Sequence, residues 1–162
     1  MRELLLMIHP TTGVLAILAA VWVFVETLNA SPVRSNVSNG ASAQNRVRLW
    51  CGSMLTAVLM IATLISGGYW YVVYYAADKA IILNSAWPFA HSVLMEIKEH
   101  LFFATLILSV LLPIVVRGND LALNRGARVL VLAITSLIIL SSLAFEGAGA
   151  IISMAVRIGI MN

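Results

Sequence analysis

The sequence predicts an all-α fold, a bundle of four transmembrane helices. Three observations carry that expectation. Hydrophobic residues make up 61% of the chain, and the mean hydropathy is +0.98. Charged residues make up only 10%, against about a quarter in a soluble domain. Four stretches, residues 10–28, 49–75, 88–116 and 129–156, are each mostly apolar, and a spanning helix needs about 20 such residues. A soluble globular protein, a disordered tail and a nucleic-acid-binding domain are all excluded on composition. The net charge of +3 is spread between apolar runs and forms no basic patch, so nucleic acid is not an expected partner. The one cysteine, Cys51, permits neither an intrachain disulfide nor a cysteine-built metal cluster. The 162 residues suit a single integral membrane domain.

The first span opens at His9-Pro10. Pro10 suits a first-turn position, where its missing N–H costs nothing. No small-x-small cleavage site follows the span, so it is expected to be a true span and not a leader. Residues 31–44 are rich in Ser, Asn and Ala and read as a flexible connector. The second span passes Gly67-Gly68 into Tyr69, Trp70, Tyr71, Tyr74 and Tyr75, an interfacial aromatic belt. The third begins at Pro88, although Glu96, Lys98 and Glu99 precede its apolar run from His100 to Val116. The second and third helices are therefore expected to project beyond the membrane as a short hairpin. The fourth span ends in small residues around Gly147 and Gly149.

Arginines set the orientation. Arg34, Arg46 and Arg48 lie in or beside the first loop, and Arg117, Arg125 and Arg128 in or beside the third. By the positive-inside rule both loops are cytoplasmic and both termini face out, across a bacterial inner membrane.

Depth picks out candidate site residues. At 1.5 Å per residue, His9 lies about 28 Å above the cytoplasmic end of its helix. His100 lies about 24 Å up, Glu146 about 25 Å and Tyr69 about 30 Å. All four share a layer near the outer boundary of a core about 30 Å thick. Ionisable groups there usually face the bundle interior or a partner. On a helical wheel Glu96, His100, Phe103 and Ile107 share one face, with His91 and Lys98 opposite. The apolar run below His100 suggests that this face is inward and that His91 is wet or touches another subunit. Gly13, Gly67, Gly68, Gly147 and Gly149 crowd the same layer. Small residues there permit close helix packing, or leave room for a flat group.

Three functions fit. The first is a cytochrome-b-like subunit carrying electrons through one haem b, with His9 and His100 as axial ligands. Gly13, Gly67 and Gly68 would make room for the ring, and Glu96, Glu99 or Glu146 would orient an imidazole. The second is a single transition-metal ion held by His9, His100, Glu96 and Glu146. The third is a cofactor-free accessory subunit of a membrane complex. A transporter is disfavoured, because no inverted repeat or mid-membrane chain of ionisable groups is present. Expected partners are membrane lipids and other subunits of a redox complex.

The pattern His9-Pro10, Arg48, Gly52, Gly67-Gly68, His100, Arg117, Gly147 and Gly149 resembles a bacterial family of small four-helix membrane proteins described only as a domain of unknown function. That resemblance implies a four-span bundle with His9 and His100 at the family's histidine positions, and it implies haem. The plan also resembles the b-type haem membrane anchors of respiratory dehydrogenases, without their second histidine pair. The Glu96 to Glu99 charge cluster and the aromatic-rich second helix depart from the pattern.

Overall fold

The computed structural model of the chain describes residues 2–30 and 39–161. Four α-helices make up the fold: α1 (Arg2–Asn29), α2 (Asn39–Leu83), α3 (Glu96–Gly118) and α4 (Arg125–Met161). A six-residue π-helix, Ala90–Met95, leads directly into α3. There is no strand among the described residues. Each helix, with the π segment counted in the third, is long and apolar enough to cross a membrane, consistent with a multi-pass membrane protein.

The packing follows the rule for lipid, where apolar side chains face outward and small or hydroxyl-bearing ones face in. Ile65, Ile107 and Leu140 are each about two-thirds exposed, while Thr27, Thr56, Ser109 and Thr135 are fully buried. Their hydroxyls donate to carbonyls three or four residues back in the same helix, so these four donors are paired in a dry interior. Two further hydroxyl pairs cross between helices. Thr63 donates to Thr12 at 3.0 Å, joining α2 to α1, and Thr105 donates to Ser141 at 2.9 Å, joining α3 to α4.

One apolar cluster, including Val23, Leu49, Val116, Leu121 and Val131, fills the end of the bundle where α1 meets α2 and α3 turns into α4. The turn there is fixed by side chains. Asn124 caps α4 by accepting from the Ala127 amide at 3.0 Å, and Asp120 accepts from the Ala122 amide at 3.0 Å. A second cluster, Tyr75, Ile82, Ala90, Met95, Ile152 and Ala155, fills the opposite end, which carries the chain termini. At 1.5 Å per residue the 45 residues of α2 run about 68 Å, roughly twice a hydrocarbon core. This length carries the second cluster beyond the shorter cores of α1 and α3.

Two sequence expectations are corrected. Pro10 is not in the first turn, because α1 starts at Arg2 and contains it. Proline inside a helix removes one backbone bond and crowds the preceding turn. Thr11 and Thr12 send their hydroxyls to the carbonyls of Met7, Ile8 and His9 in the turn around it. The expected connector at 31–44 is shorter, since α2 already begins at Asn39; residues 31–38, with Arg34, lie outside the described residues.

Two arginines at the cluster end separate strong from weak contacts. Arg48 pairs with Glu26 at 2.7 Å, but its side chain is 54% exposed. Arg128 donates to the Ala30 carbonyl at 2.7 Å, and Ala30 is buried. Arg48→Ala should lower stability by at most about 1 kcal/mol. Arg128→Ala should cost about 1.5–3 kcal/mol, the range for a hydrogen bond to a charged group. Melting of the two variants in the same detergent measures the order.

Candidate functional site

A cavity of about 490 Å³ opens among all four helices on the terminal side of the Thr12–Thr63 hydroxyl pair. Helix α1 contributes Leu5, Leu6, His9 and Pro10, and α2 contributes Thr63, Leu64, Gly67, Gly68, Trp70 and Tyr71. The third helix adds Met95, Lys98, Glu99, Phe102 and Phe103, and α4 adds Glu146, Gly149, Ala150, Ile152 and Ser153. The walls are mainly apolar and aromatic, with a few polar groups set into them. That is the usual make-up of a small-molecule site.

His9 is held in one orientation. Its Nδ1 donates to the Thr63 carbonyl at 3.1 Å. A carbonyl only accepts, so Nδ1 carries the proton and Nε2 of the neutral ring is the free acceptor. The imidazole packs against Gly67, and a methyl group added at that glycine would overlap the ring. Similar close approaches occur at Gly13, which faces the Glu146 carboxylate, and at Gly149, beside the Lys98 ammonium. A methyl at Gly68 or Gly147 would meet nothing within 4 Å. Three of the five glycines thus make room for polar side chains, and two do not.

The third helix presents a different face from the one expected. His100 and Glu96 are exposed, and His100 donates from Nδ1 to the Glu96 carbonyl of its own helix at 2.7 Å. Phe103 and Ile107, expected to continue an inward face, are 57% and 67% exposed. Lys98 and Glu99 line the cavity instead. The inward stripe runs Lys98, Phe102, Thr105, Ser109, Leu112 and Val116, at offsets of four, seven, eleven, fourteen and eighteen residues. Thr105 and Ser109 are the sequence signal for it. In lipid a purely aliphatic face points outward, and the face carrying hydroxyls points inward.

His91 is likewise not wet. It is 6% exposed and hydrogen-bonded to the Tyr75 hydroxyl at 2.9 Å. Tyr71 stacks on Tyr75 at 5.0 Å between ring centroids, and Trp70 tilts against it at 5.5 Å. The wheel itself explains this inward position, because His91 lies seven residues from Lys98 on one face and that face is the inward one. Tyr69 is half exposed and outside the cavity wall.

The structure therefore gathers His9, Gly67, Gly68 and Glu146 around one cavity, with Gly13 behind Glu146, and leaves His100 and Glu96 outside it. Among the described residues no three His, Cys, Asp or Glu side chains are grouped so as to hold a metal ion. Lys98 and Met95 are wall residues that sequence reasoning did not place there. Comparison of the chain with protein-family models, characterised proteins and solved structures finds no match to any of them.

Proposed function

We propose that the protein is a four-span membrane subunit that holds one neutral, ring-bearing amphipathic molecule in this cavity and serves electron transfer within a larger redox complex. The observation that carries the reading is the cavity itself. It is built by all four helices, walled by aromatic and aliphatic groups, and entered by His9 with a fixed ring and a free Nε2. Trp70 and Tyr71 at its wall are redox-capable rings, in contact with the Tyr75–His91 pair. Lys98, Glu99 and Glu146 put charges of both signs at the wall, which favours an uncharged or dipolar guest over an anion.

Haem b is the second reading, favoured by one feature. A histidine that binds metal usually donates its other ring N–H to a carbonyl or carboxylate, as His9 does to Thr63. The residues fit a haem with His9 on one side. They do not fit a bis-histidine haem, because His100 is outside the cavity.

Purified protein should yield one co-purifying small molecule on solvent extraction and mass spectrometry. His100→Ala should retain it, and His9→Ala should lose at least about 90% of it. A Soret band with sharp α and β bands in the reduced-minus-oxidised spectrum would assign the guest as haem. Equal yield from the His9 variant, or no guest from the native chain, would overturn the proposal.

The arginines of the first and third loops support an orientation with both termini outside an inner membrane. With Cys51 replaced by Ser, Asn84→Cys should label with a membrane-impermeant thiol reagent on intact cells, and Asn119→Cys should not. The reverse pattern would place the cavity toward the cytoplasm.

A further inference from the structure

A run of rings in contact leads from the cavity wall into the second apolar cluster. Trp70 and Tyr71 line the cavity. Both lean on Tyr75, at 5.5 and 5.0 Å between ring centroids. Tyr75 in turn meets His91, 5.8 Å away between centroids, with its hydroxyl 2.9 Å from Nδ1. Tyr75 is 2% exposed and His91 6%, so the two polar atoms meet away from bulk water, where a hydrogen bond is stronger.

Pairing decides where the proton sits. Among the described residues the Tyr75 hydroxyl is bonded to His91 alone. A proton on Nδ1 would point at the phenol oxygen and leave the phenol's own proton buried without an acceptor, which is costly. With the phenol donating to Nδ1, both protons are placed. Nε2 carries the second one, and it is not among the enclosed, unpaired atoms. Tyr75 is therefore a buried phenol whose proton already points at a base. Removing an electron from a phenol makes its hydroxyl strongly acidic, so the electron leaves most readily where an imidazole takes the proton in the same step.

We infer that Tyr75 and His91 form a proton-coupled one-electron relay for the cavity. This rests on the cavity holding a redox guest, as proposed above. The oxidant is the guest in a one-electron-oxidised, ring-radical form. One electron passes from Tyr75, through Tyr71 or Trp70, to that ring, while the phenolic proton moves from Oη to His91 Nδ1. The O–H bond breaks and an N–H bond forms. The guest is reduced by one electron, Tyr75 becomes a neutral radical and His91 an imidazolium. An electron from a one-electron donor outside the chain, with the proton returned to Oη, restores the pair.

The test is flash photolysis of the purified full chain in detergent, with a ruthenium polypyridyl photo-oxidant tethered at Asn84→Cys after Cys51→Ser. Asn84 is exposed and lies about 14 Å beyond Tyr75 along α2. The photo-oxidant needs no guest, so this test and the extraction above can fail separately. A neutral tyrosyl radical should appear, seen by its near-ultraviolet band and its electron paramagnetic resonance spectrum, and should form more slowly in deuterium oxide. Tyr75→Phe should lose that signal. His91→Gln keeps an acceptor for the phenol but no base, so the radical should form at least about tenfold more slowly, the low side of what a positioned base contributes. Melting near the native temperature shows that the variants are folded. A purely structural hydrogen bond would give none of these effects. An undiminished signal in Tyr75→Phe, an unchanged rate in folded His91→Gln, or no isotope effect in the native chain would overturn the inference. The isotope effect is read on the native chain, so it decides even where His91→Gln does not fold. A radical at Tyr75 with no extracted guest would reject the cavity as the electron acceptor, and the relay with it.

Discussion

Gly67→Ala is expected to empty the site, whereas Gly68→Ala, one residue away, is expected to leave it intact. Alanine normally improves a helix over glycine by about 1 kcal/mol, so any loss at Gly67 must exceed that gain. The new methyl would overlap the His9 ring, which is tied to the Thr63 carbonyl at 3.1 Å and precedes Pro10 in the chain. The ring cannot slide aside without breaking that bond. Overpacking of this kind costs about 1–3 kcal/mol, and the imidazole would leave its orientation. The variant should melt lower than native and retain under about a tenth of the co-purifying molecule. At Gly68 the methyl meets nothing within 4 Å, and stability should be equal or slightly higher. Equal behaviour of the two variants would mean that the contact between Gly67 and His9 does not shape the site.

The second large effect concerns the histidines of the third helix. His91→Ala removes the partner of the buried Tyr75 hydroxyl and leaves a void where the ring packed against Tyr75. An unsatisfied buried hydroxyl and a cavity together should cost about 2–4 kcal/mol. His100→Ala removes an exposed ring bonded only to its own helix, and should stay within about 0.5 kcal/mol of native. Detergent melting curves of the pair check the order. Tyr75→Phe should fall between them, because it keeps the ring and loses one hydrogen bond.

These two histidines also show how far the sequence could be read. The four helices were legible because apolar length alone marks a span, and the extension of the second helix past Gly67-Gly68 was legible from Tyr69 to Tyr75. His9, Gly67 and Glu146 were found by matching depths, which needs only the rise per residue. Rotation was not legible from the criterion used. Phe103 and Ile107 point toward a core in a soluble helix and toward lipid in a spanning one. Thr105 and Ser109, on the face of Lys98, carried the correct signal. The π-helix at Ala90–Met95 has no composition that announces it, but His91 still falls on the face of Lys98, where the wheel put it.

The central claim is that the cavity beneath the termini holds a molecule against His9. An experimental density map of the purified protein, solved with its co-purifying lipids, tests it most directly. Compact, ring-shaped density is expected between His9, Phe102 and Lys98, within hydrogen-bonding distance of His9 Nε2. Helices closed on one another with no space there, or a lipid acyl chain alone passing through, would contradict it.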